Sequence, residues 1–148
     1  MEQEGLSERH LQDIRDRIAS SPFHNWFGLR LVQIGGGTAE VTVDLSGDHH
    51  NMQGIVHGGV ISTLADTAMG LAVRSMLKPG LTHRTAHLSV NYLAKVEGGL
   101  LTGRGHSLHV GSKMGYGEAD IVDGSGGLVA RANATFIVLP APGTSSPG

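Results

Sequence analysis

The sequence predicts an α+β fold in which one strongly curved, six-stranded antiparallel sheet wraps a single long central helix. Three observations carry that expectation. The segment from about Gly58 to Leu77 is apolar or small at nearly every position, the signature of a helix buried on most sides. Everything after it alternates with period two, as strands do. Two more strand-like stretches and a short amphipathic helix precede it. Curling the sheet around the helix is the economical way to bury it. Six strands leave two open edges, and pairing between subunits is one way to cover them.

Taken in order, Leu6, Leu11, Ile14 and Ile18 recur at helical spacing among charges, which predicts a short N-terminal helix from about Leu6 to Ala19. Ser20-Ser21-Pro22 ends it, and Phe23, Trp26 and Phe27 form an apolar patch ahead of the first strand. That strand runs from Leu29 to Ile34, with Gly35 to Gly37 as a hairpin turn. From Thr38 to Leu45 the alternation is clean, with Ala39, Val41, Val43 and Leu45 on one face. The loop SGDHHNMQGIV leads into the long helix, about 30 Å long at twenty residues, which Lys78-Pro79-Gly80 stops. In the next strand Ala86, Leu88, Val90 and Tyr92 lie opposite Thr85, His87, Ser89 and Asn91. The stretches Gly99 to Val110, Lys113 to Val122 and Leu128 to Leu139 complete the sheet. Residues 1–22 therefore read as a helix and lead-in, 23–139 as one domain, and 140–148 as a tail of disordered composition.

Composition narrows the function classes. At 148 residues the chain has room for one core. Only 16% of residues are charged, which suggests surface covered by other subunits. Eleven Lys and Arg against thirteen Asp and Glu leave a net charge of -2, without the basic field that draws nucleic acid. No Cys is present, which removes disulfides, thiolate nucleophiles and Cys-based zinc sites. A polar N-terminus, and an apolar stretch broken by Asp66 and Arg74, point away from the membrane and toward a cytoplasmic protein. The nine His suggest no metal site. His83 and His87 share a strand face but lie about 13 Å apart if extended, and His106 and His109 fall on opposite faces of theirs. Many of the 23 glycines sit inside strands, where Gly marks close backbone approach. A ligand, a neighbouring subunit, or relief of crowding in a curved sheet would each account for them.

The informative stretch runs from Asn51 through His57-Gly58-Gly59 to Asp66. At a helix start, His57, Gly58 and Gly59 leave N–H groups without intrahelical acceptors. Together with the positive helix end, these suit an anion or a developing oxyanion. Asp66 is a carboxylate in an apolar helix, either functional or held by neighbouring hydroxyls such as Ser62 or Thr63. His57 is either a helix-start residue bonding local backbone or part of the site. Gly58 and Asp66 are about 12 Å apart along one helix, whereas reacting groups meet within about 3–3.5 Å. If both act on one carbonyl, they come from different subunits.

The run N-x5-HGG-x5-AD from Asn51 to Asp66 resembles the phenylacetate-degradation (PaaI-like) branch of the hot-dog-fold thioesterases, and the likeness extends over about Phe23 to Leu139. The resemblance implies hydrolysis of acyl-CoA thioesters in a site shared between protomers of a homodimer or homotetramer, with aryl-acetyl or medium-chain acyl groups. It needs no cofactor, since coenzyme A is part of the substrate. It also implies Gly58 as oxyanion-hole donor, with Gly59 beside it, and Asn51 as the group that polarises the thioester or positions water. Asp66 of the partner would be nucleophile or general base, and His57 would order the turn and contact Asn51 or the substrate. Thr85 falls where the family often holds water, Arg84 could reach CoA phosphate, and Gly111-Ser112-Lys113 resembles a turn near the nucleotide. Asp66 departs from the 4-hydroxybenzoyl-CoA branch, which carries Glu there, and the Asp–His pairing of hot-dog hydratases is absent. The alternative is a non-hydrolysing hot-dog protein that binds acyl-CoA or scaffolds a partner.

Overall fold

A computed structural model describes residues 6–143. Two short helices open the chain, α1 (Glu8–Ser20) and α2 (Pro22–Phe27). The hairpin β1 (Leu29–Gly35) and β2 (Thr38–Leu45) follows, then the central helix α3 (Gly58–Arg74). Four strands finish it: β3 (Leu81–Tyr92), β4 (Gly99–Val110), β5 (Met114–Val122) and β6 (Leu128–Pro140). All pairings are antiparallel, in the order β1-β2-β4-β5-β6-β3. This is the curved six-stranded sheet around one helix that the sequence predicts. Because α3 lies between β2 and β3 in the chain, it carries the polypeptide across the sheet to the opposite edge.

The aromatic lead-in forms a helix of its own, α2, with Pro22 in its first turn and Gly28 as a left-handed C-cap at φ 83°. The central helix stops at Arg74, three residues before the expected Leu77, and the chain turns through Ser75 to Leu77. Strand β5 starts at Met114, because Lys113 belongs to the turn. Of the expected tail, residues 144–148 lie outside the described residues, while Pro140 still pairs with Leu81 in the sheet.

The strand glycines resolve in favour of the chain's own helix. A Cβ on Gly105 would stand 2.4 Å from the Ala68 carbonyl oxygen, and one on Gly103 3.1 Å from Leu64. On β5, Gly115 and Gly117 meet Val73 and Met69 in the same way. Facing them, Ala65, Ala68 and Ala72 are fully buried. Small residues on both surfaces let α3 lie almost directly on β4 and β5, close to the packing density of a protein interior. They make no room for a ligand.

Burial of α3 is nevertheless one-sided. Ile61, Leu64, Ala65, Ala68, Met69 and Ala72 face the sheet, while Gly59 is exposed and Ser62, Thr63, Asp66 and Thr67 are half-buried. Asp66 therefore sits at the rim of the core, not inside it as its apolar neighbours suggest.

Of the register shifts in the sheet, those in β3 and β4 overturn the strand phases that alternation predicts. In β3 the register slips at Ala86, between Thr85 and His87. Thr85 pairs with buried Phe136 and so points to the helix side, with Leu88 and Val90 rather than opposite them. The same bulge places His83 inward and His87 outward, so they do not share a face. In β4 the slip between Ser107 and His109 puts His106 and His109 on the same outer face, opposite Glu118 and Tyr116.

Candidate active site

The first turn of α3 is capped by His57, whose Nδ1 accepts from the Gly59 N–H at 2.7 Å. An accepting Nδ1 leaves the proton of the neutral ring on Nε2. His57 thus bonds local backbone, and it occupies the Gly59 donor. The Gly58 N–H has no acceptor among the described residues and is the free donor at the positive end of the helix.

Tyr92, from the far end of β3, closes over this turn. Its hydroxyl donates to the Gly58 carbonyl at 3.0 Å, and its ring lies 3.4 Å from where a Gly58 Cβ would be. Sequence reasoning missed Tyr92. The only available signal was its place in the apolar row of β3.

Asn51 organises the preceding loop. Its Oδ1 accepts from the N–H groups of Gln53 and Ile55 at 2.8 and 3.3 Å, which leaves its NH2 to donate elsewhere. Asn51 and Gly58 line one cavity of about 360 Å³ together with Ile61, Tyr92 and Lys95.

Two helical turns on, Thr85 donates its hydroxyl hydrogen to Asp66 Oδ1 at 2.8 Å. This replaces the expected neighbours: Ser62 donates to the Gly59 carbonyl instead. The other Asp66 oxygen takes no hydrogen bond among the described residues. One more turn along, Gly70 makes way for His83, whose Nε2 lies 2.8 Å from where a Gly70 Cβ would stand. Burial, with Arg74 nearby, pushes the His83 imidazole down to about 4, so it is neutral at pH 7. Gly70 is therefore filled by the chain itself.

Arg84 points to the outer face, in one cross-strand row with Ile137 and Met114. Gly111, Ser112 and Lys113 form the β4–β5 turn at the end of that row, with the Gly111 N–H donating to Met114. Two strand spacings put Arg84 about 10 Å from the turn. One chain thus holds two separate groups. Asn51, His57 and Gly58 gather at the helix start, while Asp66 with Thr85 lies about 12 Å further on, near the sheet end carrying Arg84.

A thioesterase superfamily model matches residues 53–130, more than half of the chain, from just before the helix start into β6. The chain belongs to the thioesterase superfamily.

This thioesterase is 26% identical over 111 residues to a 1,4-dihydroxy-2-naphthoyl-CoA hydrolase from Listeria monocytogenes, spanning 75% of this chain and 90% of that protein. A thioesterase from Haemophilus influenzae superposes with a TM-score of 0.82 at 23% identity, covering 95% and 96% of the two chains. A variant of the phenylacetic acid degradation protein PaaI from Thermus thermophilus gives 0.72 at 24% identity, covering 79% and 98%. The fold is the hot-dog fold, PaaI-like as the motif suggests, and the chain is a thioester hydrolase. No helix among the described residues is long and apolar enough to cross a membrane.

Proposed function

We propose that this thioesterase hydrolyses acyl-CoA, with aryl-acetyl or medium-chain acyl groups, in a site built from two subunits of a cytoplasmic homo-oligomer. The observation that carries this reading is the separation on one helix of a free donor, Gly58 N–H, from a held carboxylate, Asp66 with Thr85. About 12 Å apart, they act on one carbonyl only if a partner's helix runs antiparallel to the first. The edge strand β3, exposed from Arg84 to His87, is available for that pairing.

In the shared site, Gly58 N–H stabilises the oxyanion and the Asn51 amide donates to the thioester or to water. Thr85 aims Asp66, which attacks the carbonyl carbon or takes a proton from the attacking water. Either route breaks the carbon–sulfur bond and expels CoA as thiolate. With water as the attacking group the acid forms directly. With Asp66 as the attacking group a mixed anhydride forms, which water then cleaves to the free carboxylate and the restored Asp66. His57 holds the helix start, and Gly59 gives its ring room. Arg84 and the Gly111–Lys113 turn, brought to one end of the sheet, offer cation and backbone donors to the CoA phosphates. The names of the Listeria and Thermus proteins support CoA esters and arylacetyl groups.

A panel of acyl-CoA esters assayed for thiol release tests this. Release from phenylacetyl-CoA or medium-chain esters is expected. Binding of CoA esters without release from any of them would leave a non-hydrolysing binder instead.

A further inference from the structure

A second cavity, of about 610 Å³, opens on the other side of the α3 start. Its volume is that of a small-molecule site. Its floor is His57, Gly59, Val60 and Thr63, and its wall is Phe23 and Trp26 of α2. His57 and Gly59 flank Gly58, so the cavity begins beside the free N–H.

The wall is unusual for a protein surface. Helix α2 buries only Phe27, leaving Trp26 83% and Phe23 50% exposed. The rings are ordered against one another: Phe23 stacks on Phe27 at 6.0 Å and 25°, and Trp26 lies 6.3 Å from Phe23 at 36°. Phe27 in turn packs edge-on against His49, 5.6 Å away. His49 is fixed in place, accepting from the Ser46 N–H at Nδ1 and donating from Nε2 to the Phe27 carbonyl. The segment is thereby pre-formed before any ligand arrives. Among the described residues, the 360 Å³ cavity across the helix start offers an amide, a phenol, the Lys95 ammonium and aliphatic groups, but no Phe or Trp.

We propose that the α2 cavity is the acyl subsite and that Trp26, stacking on a planar aryl acyl group, selects it over a linear alkyl chain. This rests on the thioesterase reading above. With the thioester carbonyl on Gly58 N–H, the acyl arm enters the aromatic cavity and the CoA arm leaves by the other side. Flat rings in offset-stacked geometry favour an aryl partner beyond the area buried.

Trp26 is the only tryptophan in the chain, so its emission reports the cavity directly. Phenylacetate is expected to shift that emission to the blue and quench it saturably, and hexanoate at equal concentration is not. Trp26→Ala should lower the ratio of kcat/KM for phenylacetyl-CoA over hexanoyl-CoA by about tenfold, within the range that pocket contacts supply. Trp26→Phe should keep most of the ratio. An unchanged ratio and unresponsive emission overturn the proposal. So does a smaller oligomer for Trp26→Ala by light scattering, which would make Trp26 a subunit contact. If no CoA ester is hydrolysed, the thioesterase reading fails by itself, and the emission titration still decides the cavity.

Discussion

Asp66 illustrates how one side chain is made useful by what holds it. Its Oδ1 takes the Thr85 hydroxyl at 2.8 Å, which fixes the carboxylate plane and leaves the second oxygen for chemistry. Replacing Asp66 with Asn keeps the shape and removes the carboxylate that the proposed mechanism uses as base or nucleophile. We expect kcat to fall by roughly 10²–10⁴, the contribution of a positioned acid or base. CoA-ester binding, measured by calorimetry, should stay near that of the parent. Thr85→Val removes only the aiming bond, and a hydrogen bond to a charged group is worth about 1.5–3 kcal/mol, so a loss in kcat of roughly ten- to a hundredfold is expected. Thr85→Ser should restore most of it. Full turnover in Asp66→Asn would return that carboxylate to a structural role.

Among the elements, α3 and the strands beneath it depend on the absence of side chains. The Ala68 carbonyl presses where a Gly105 Cβ would sit, and it is backbone that cannot swing aside. Gly105→Ala should therefore destabilise by about 1–3 kcal/mol, the usual cost of overpacking. The readout is the urea midpoint at unchanged slope. Gly47→Ala, with nothing within 4 Å of the added carbon, is the matched control and should move the midpoint little. Equal midpoints for the two variants would show that α3 can lift off β4 at no cost. The β3 bulge matters in another way. Were Ala86 in regular register and not bulged, Thr85 and Tyr92 could not both face α3, since an odd separation of seven puts them on opposite sides of a regular strand.

At the scale of the molecule, the central question is whether one site needs two chains. Gly58→Val crowds the donor and presses on Tyr92, whereas Asp66→Asn leaves the donor intact. Each homo-oligomer should be nearly inactive. In a mixed dimer one site carries both defects and the other carries neither, so each mixed dimer should regain about half of the parent activity, and a fully exchanged equimolar mixture about a quarter. Subunit exchange is confirmed by mass, and thiol release is the measurement. Exchange without recovery would mean that the two groups act within one chain. An active monomer in light scattering would mean the same.

Much of this architecture was legible in the sequence. Period-two stretches, glycine turns and one apolar helix are local patterns, and burial acts on them one residue at a time. The Asn51, His57-Gly58-Gly59 and Asp66 spacing could be read because a helix converts residue number into distance. Other features are not local. The bulge at Ala86, which brings Thr85 to Asp66, arises from pairing with β6 and leaves no mark on the alternation. The strand glycines admit several readings until α3 is seen lying on them. Trp26 and Phe23 read only as an apolar patch before the first strand, and the structure places them outside, as a wall beside the helix start. Periodicity tells a chain which faces to bury, but only the assembled sheet decides which neighbour each face meets.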